Sequence, residues 1–519
     1  MVRDIDAREW LRANEHTKLA EQIDSIMARW AKSGKRTRRN WWDVLAGGPN
    51  GEPRKVAGVT FPVLAAARKR KGLPSVSHGL ERRRGEVAPE PADVTRWSGT
   101  PKKNRDRDGK QRRAKLNVKS KALSSLASEE PVKQGSEGVE LRIKNFAQLD
   151  SVKVPLRDLV VLVGPQATGK SLVLEILKLA LDRGRIVAAL KQYGYRWENL
   201  EQFNALYFGG GFEKAWSTRT EVSIGNTALT PEAIVNARTR KTEDAVFYIP
   251  AHRTLAIGEG WPRSFVQYQV ETPYVARSFS ESLLTSLSQG LVGKGKIFPP
   301  DRKLKEVFRK LIDKAVFHGA TLKLDTLGMR KQFMLEYAKS EARLPFMAWT
   351  AGQREFTPML LGLYHLLPAG GPTKKKGIQW AVLEEPEMGL HPKAIVAVMA
   401  VVLDLLARGY KVALSTHSPT VLEVVWGMSR LKGKQGGAAE LCKMMGLPAG
   451  NKDVLKTASR ALERSYGVVY LEHNAAGRVE SKDISGLNPG DPIEGEWGGL
   501  ATFSTKVTEA IAASRNTGS

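Results

Sequence analysis

Residues Asp158–Asp182, DLVVLVGPQATGKSLVLEILKLALD, decide how the rest of the chain is read. The apolar, β-branched run Leu159–Val163 has the pattern of a strand buried on both faces. It stops at Gly164, and from Ser171 the apolar residues Leu172, Ile176 and Leu179 recur at helical spacing, predicting an amphipathic helix. Between strand and helix lies Gly164-x-x-x-x-Gly169-Lys170-Ser171. Glycines there let successive backbone N–H groups face an anion, and the helix N-terminus adds partial positive charge. Lys170 is placed to reach terminal phosphates and the Ser171 hydroxyl to ligate Mg²⁺. A glycine-rich turn that matched by chance would have no reason to carry both flanking elements. The spacing therefore predicts an α/β fold with a nucleoside triphosphate site.

The same logic finds a second half to the site. Ile378–Glu387, IQWAVLEEPE, is an apolar strand ending in carboxylates. Set beside the phosphate-loop strand, Glu384 can hold a metal's hydration shell and Glu385 can orient and deprotonate a water. Glutamate and proline also end strands for no chemical reason, so the cluster gains meaning only from the loop upstream. A further strand, Tyr410–Leu414, leads into Ser415-Thr416-His417-Ser418-Pro419. His417 reads as a sensor of a terminal phosphate or as an ordinary loop residue.

Taken in order, GPQATGKS, TAGQRE, LEEPEMGLHP and STHSP resemble the phosphate loop, signature, Walker B, D-loop and switch histidine of ABC-type ATPases. The nearer likeness is to the SMC-like and OLD-like AAA ATPases, including those of bacterial anti-phage defence operons. The lead-in LRIKNFAQLDSVKV resembles that group's first strands, and FYIPAHR its buried strand with an Ala-x-Arg turn. The resemblance implies ATP bound through Gly164, Gln166, Thr168, Gly169, Lys170 and Ser171, with Mg²⁺ at Ser171 and Glu384. It implies Glu385 and His417 as catalytic groups of a slow ATPase. Thr350, Ala351, Gly352 and Gln353 would be the signature, meeting the γ-phosphate held by a partner copy in a head-to-head dimer or higher homo-oligomer. An exposed helix N-terminus at Gln353 suits such an anion contact on physical grounds as well. Glu384 stands where the family more usually has Asp, Gln166 where many members have Asn, and Ala351 where Gly or Ser is commoner. Gln192 and Gln202 are the candidates for a glutamine loop.

Around this core the chain divides by composition. Residues 1–80 read as a small basic module, mostly helical, and 81–136 as a basic linker rich in Pro, Lys and Arg. Residues 137–430 would form the ATPase domain, with an inserted segment at about 185–345, and 431–519 would complete it. The interval between Ser171 and Thr350 is too short and too aperiodic for a long coiled coil. The segment GVVYLEHNAAGRVESKDIS reads as a hairpin turning at Asn474–Gly477. OLD nucleases carry a Toprim nuclease domain in this region, built on a glutamate and an Asp-x-Asp pair. Asp483 and Asp491 are isolated and read as turn residues, so nuclease activity is expected on a separate chain.

The chain has 519 residues and a net charge of +27, a balance that points to an anionic partner. The basic linker is either a solvated tail or a phosphate-tracking arm, and Trp41–Trp42 either pack or stack on bases. One cysteine, Cys442, argues against disulfides and thiolate clusters and fits a reducing cytoplasm. The longest apolar run, Ala394–Leu403, is too short to span a bilayer, so no membrane partner is expected. Three roles follow: a sensor or scaffold that controls a separate effector such as a nuclease, a DNA-repair ATPase that clamps duplexes, and a slow nucleotide-bound assembly protein.

Overall fold

The structure, a computed structural model, describes residues 139–508 apart from 239–242, 292–294, 301–302, 328–329, 339–341, 369–372, 489–490 and 503. It also describes a two-strand ladder, Lys55–Val56 with Val59–Thr60, inside the module read as mostly helical. The remainder of that module and the basic linker lie outside the described residues.

The chain enters through an antiparallel pair, β1 (Glu140–Phe146) and β2 (Leu149–Pro155), whose alternate residues Leu141, Ile143, Val152 and Val154 are buried. Strand β3 (Leu159–Val163) is buried at every residue and feeds helix α1 (Lys170–Gln192). Helix α2 (Leu200–Phe208), strands β4 (Trp216–Ile224), β5 (Thr227–Ala228) and β6 (Val246–Ile249), and helix α3 (Tyr274–Ser288) follow. A separate antiparallel sheet comprises β7 (Lys296–Phe298), β8 (Ala320–Leu327), β9 (Arg330–Tyr337) and β10 (Arg343–Pro345). Then come α4 (Ala351–Leu366), β11 (Trp380–Glu384), α5 (Pro392–Ala407), β12 (Lys411–Ser415) and helices α6 (Pro419–Leu431), α7 (Gly437–Met444) and α8 (Lys452–Leu462). The last strands are β13 (Tyr466–His473) and β14 (Val479–Asp483).

Ten strands form one sheet in the order β5-β4-β1-β2-β14-β13-β3-β12-β11-β6. From β13 to β6 all neighbours are parallel, and β1, β2, β4 and β5 form an antiparallel wing. Alternation along the parallel strands serves two cores. Leu159, Val161, Ala381 and Leu383 face the core that holds α4 and α5; Val160, Leu162, Trp380 and Val382 face the one that holds α1. Burial on both faces explains why these strands read as unbroken apolar runs. Helix α5 lies almost wholly within its core, which accounts for the run Ala394–Leu403. No helix among the described residues is long and apolar enough to cross a membrane.

Three expectations need correction. Strand β11 is not beside β3: β12 lies between them and pairs with both. The segment 185–345 is not a single insertion, since α1 runs to Gln192 and β4, β5 and β6 all belong to the main sheet. Helix α1 is buried on most sides rather than along one stripe, and even Lys178 and Asp182 are inside, bonded to each other at 3.1 Å. Residues 466–483 form the expected hairpin, and both of its strands belong to the sheet, β13 pairing parallel with β3 and β14 parallel with β2.

Candidate functional site

Because β3, β12, β11 and β6 are parallel, their C-terminal ends share one rim, where open α/β sheets place ligands. The register aligns Leu162, Ser415 and Glu384 across it, with Ile249 opposite Leu383. Four loops therefore leave the sheet side by side: 164–169, 385–391, 416–418 and 250–256.

The first loop needs its glycines. Gly164 has φ +145°, and a Cβ there would lie 2.2 Å from the carbonyl oxygen of Leu471 on β13. Gly169 has φ +77° and sits under the side chains of Leu149 and Gln148, the latter from the β1–β2 turn. Thr168 is fully buried and donates to the Pro165 carbonyl at 2.8 Å, while Gln166 is exposed. The Lys170 ammonium donates to the carbonyls of Gly164 (2.9 Å) and Pro165 (2.7 Å). Burial lowers its pKa, and Glu385 and Glu387 oppose that shift, so the cation faces both carboxylates.

Ser171, exposed at the first turn of α1, lies in hydrogen-bond contact with the Glu384 carboxylate. Glu384 is 4 % exposed and held at both oxygens. Oε1 accepts from the Tyr248 hydroxyl at 2.7 Å and Oε2 from the Ala251 N–H at 2.9 Å. Burial raises its pKa, and the hydrogen bonds from Tyr248, Ala251 and Ser171 counteract the rise. The extra methylene relative to Asp thus carries the carboxylate to partners on β6 and the turn after it. Among the described residues no three His, Cys, Asp or Glu side chains cluster as a metal site. The Ser171–Glu384 pair is instead a hard-oxygen set that fits Mg²⁺, which keeps several waters and binds substrate phosphates.

Glu385 is next on the rim, with backbone φ +39°. Its N–H donates to the Ser415 carbonyl at 3.0 Å, and its Oε1 stands 3.8 Å from Nε2 of His417. Burial and the nearby Lys170 lower the pKa of His417, and Glu385 acts against them. Glu387 fixes the histidine loop: its Oε1 accepts from the Thr416 hydroxyl at 2.9 Å and the His417 N–H at 2.5 Å. Its Oε2 is buried without a partner, and burial raises the pKa of the group.

Arg253, from FYIPAHR, is fully buried. Its guanidinium donates to the carbonyls of Glu384 (2.9 Å), Glu385 (3.1 Å), Pro250 (3.3 Å) and Glu355 (3.2 Å). Sequence reasoning noted this arginine without giving it a task, and missed Tyr248, Gln148 and Glu387. Their partners lie far away in sequence or on the backbone, where no spacing rule reaches; only the Glu-Glu-Pro-Glu spacing hinted at Glu387.

Lys170, Ser171, Glu384, Glu385 and His417 thus come together. The signature-like residues form a separate station. Thr350 caps α4 in a reciprocal pair with Gln353: the Gln353 N–H donates to Thr350 Oγ1, and the Thr350 N–H donates to Gln353 Oε1, both at 3.3 Å. Gln353 is buried, and its amide nitrogen also donates to the Val316 carbonyl. A Cβ on Gly352 would sit 2.9 Å from the Gly389 carbonyl, so α4 begins directly against the 385–391 loop. Thr350 and Ala351 are exposed at the helix N-terminus. Neither glutamine-loop candidate belongs to the site. Gln192 ends α1, about 33 Å of helix from Lys170, and Gln202 serves the cap of α2.

Residues 278–423 match the AAA_21 family, described as "AAA domain, putative AbiEii toxin, Type IV TA system". The match takes in α4, Glu384, Glu385 and His417, and the phosphate loop joins them across the sheet rim. Over residues 278–423 the chain is thus similar to an AAA domain. Among solved structures, an SMC head bound to the C-winged helix domain of ScpA aligns at 10 % identity, covering 67 % of this chain and 97 % of its own, with a TM-score of 0.33. The SMC head domain from Thermotoga maritima aligns at 10 % identity over 67 % of this chain and 98 % of its own, with a TM-score of 0.27. The ATP-binding subunit of an ABC transporter aligns at 15 % identity over 55 % and 82 %, with a TM-score of 0.24. No curated protein matches this chain.

Proposed function

We propose that this ATPase domain hydrolyses ATP slowly in a head-to-head dimer or higher homo-oligomer, and that ATP-gated closure controls a separate effector protein in the cytoplasm. The observation that carries the reading is the meeting of Lys170, Ser171, Glu384, Glu385 and His417 at one rim. Gly164, Gln166, Thr168 and Gly169 shape the loop that receives the phosphates, and Lys170 swings from its loop carbonyls onto them. Ser171 and Glu384 would hold Mg²⁺, which would neutralise phosphate charge there. Glu385 orients and deprotonates the attacking water, and His417 contacts the terminal phosphate. The start of α4, with Thr350 exposed, Gly352 half-buried and Gln353 buried, meets the phosphate held by a second copy.

The matched family's description as a toxin of a type IV toxin–antitoxin system supports a role in which damage is released conditionally, and anti-phage defence is such a setting. The damaging activity, a nuclease, would reside on another chain. Asp491 supports that assignment: it accepts the N–H groups of Ile493 and Glu494 and so serves a turn. The net charge of +27 favours a second reading, a DNA-maintenance ATPase that clamps duplexes through its basic N-terminal region.

Steady-state ATP hydrolysis with and without duplex DNA, at fixed salt and with Glu385→Gln as the blank, separates the readings. Slow turnover indifferent to DNA supports effector control; stimulation that is lost on removing residues 1–136 supports the clamp. Hydrolysis equal to the blank sinks both and leaves a nucleotide-bound assembly protein.

A further inference from the structure

Glu385 occupies a backbone conformation that a non-glycine residue adopts only under constraint, with φ +39°. Its amide is fixed by Ser415, through the carbonyl at 3.0 Å and the hydroxyl at 3.3 Å. Its carbonyl accepts from the Arg253 guanidinium at 3.1 Å and from the Met388 N–H at 3.0 Å, and the same guanidinium holds the carbonyl of Glu384 at 2.9 Å. The other edge of Arg253 donates to the Glu355 carbonyl in the first turns of α4. Thr254, the next residue, donates its hydroxyl to the Glu355 carboxylate, so the 250–256 turn is strapped to α4 twice. A buried cation ordinarily takes a carboxylate partner, yet Arg253 places four of its five N–H donors on backbone carbonyls. Planar, multidentate donation of this kind is what guanidinium does and ammonium does not.

We propose that Arg253 is a positioning residue that couples the start of α4 to the carboxylate of Glu385, so that the water-activating group is aligned only when α4 is correctly seated. The inference rests on the reading of Glu385 as the catalytic base and of α4 as the element facing a partner's phosphate. It adds the regulation of that site: a displacement at the start of α4 reaches the Glu385 backbone through the Arg253 side chain, beside the direct packing of Gly352 on the 385–391 loop. The hydrogen bonds of Arg253 go to Pro250, Glu355 and the backbone of Glu384 and Glu385, not to the phosphate loop or Ser171, so turnover is expected to depend on it more than nucleotide affinity does.

The experiment compares wild type, Arg253→Lys, Arg253→Ala with added guanidinium, and Thr254→Val, for ATP affinity, kcat, KM and thermal midpoint. Arg253→Lys is expected to keep ATP affinity within about twofold and lose about 100-fold in kcat, the cost of misplacing a reacting group by about an ångström. Guanidinium restores part of kcat to Arg253→Ala, and Thr254→Val lowers kcat at unchanged KM. Two outcomes overturn the proposal: wild-type kcat in Arg253→Lys, or parallel loss of affinity, kcat and thermal midpoint, which marks a merely structural residue. If neither Arg253 variant folds, Thr254→Val decides, and an unchanged kcat there overturns it. A wild type without hydrolysis would instead defeat the ATPase reading itself, an outcome distinct from wild-type turnover in the variants.

Discussion

The imidazole Nε2 of His417 stands 3.8 Å from a carboxylate oxygen of Glu385, and each side chain is 30 % exposed. That gap is too long for a direct hydrogen bond and places a base and an imidazole on either side of one point at the strand rim. Glu385→Gln keeps the size and the backbone contacts of the residue while removing the proton acceptor. Phosphate release should fall about 10³-fold with ATP affinity retained, and the nucleotide-bound dimer should accumulate on size exclusion. Turnover at the wild-type rate would move the base elsewhere.

His417 also sets a pH dependence. Burial disfavours its charged form, Lys170 adds like-charge repulsion, and Glu385 only partly opposes them, so the imidazole is neutral at pH 7. Its protonation should appear as an acid limb in kcat/KM lying below the ordinary histidine value of about 6.5. His417→Gln should remove that limb. A limb above that value would mean that Glu385, rather than burial and Lys170, controls the group.

Much of this arrangement is legible in the sequence. Strands β3, β11 and β12 announce themselves as short, β-branched runs, and each ends in the residues that matter. What stayed hidden was order. Nothing local in Lys411–Ser415 says that it inserts between β3 and β11, or that Tyr466–Tyr470 pairs on the other side of β3. Those pairings are set by which faces must be covered, a property of the whole chain. Helix α1 misled for the same reason: Lys178 looks solvent-facing until Asp182, Asp244 and the Val246 carbonyl surround its ammonium. The Arg253 clamp was invisible because its partners are carbonyls, which every residue has.

Glu384 gives a prediction about its own length. Its carboxylate reaches both the Tyr248 hydroxyl and the Ala251 N–H, and Asp is one methylene shorter. Despite being the residue more usual in ABC-type ATPases, Asp at 384 should lose at least one of these bonds and destabilise the fold by about 1–2 kcal/mol. Tyr248→Phe in the same background should then cost less than it does in wild type, measured as a double-mutant cycle on urea midpoints. Full additivity would show that the two groups do not interact.

The phosphate loop offers a backbone test. Gly164→Ala meets both a φ of +145° and the Leu471 carbonyl oxygen at 2.2 Å. At Gly290, φ is +83° and nothing lies within 4 Å of an added Cβ. Gly290→Ala should therefore cost only the conformational strain, about 1–2 kcal/mol. Gly164→Ala adds a clash against a sheet strand and should cost about 3 kcal/mol or more, with loss of ATP binding. Equal thermal shifts for the two variants would show that β13 yields at Leu471.

Glu387 yields the remaining test, one of stability against pH. Its folded-state pKa is raised because burial penalises the anion, and one oxygen, Oε2, has no partner. A carboxyl with a raised folded pKa contributes stability that is fully present below its unfolded value, about 4.5, and is lost as pH climbs through the folded value. Glu387→Gln keeps a carbonyl oxygen to accept from Thr416 and His417 but carries no charge. The variant should therefore match wild type near pH 4 and exceed it by about 1 kcal/mol at pH 8, read from thermal midpoints across that range. Glu387→Ala removes the acceptor as well, so the histidine loop loses its anchor and kcat should drop about tenfold at every pH. A Glu387→Gln variant less stable than wild type at pH 8 would mean that Lys170 and Arg253 stabilise the anion by more than its burial costs.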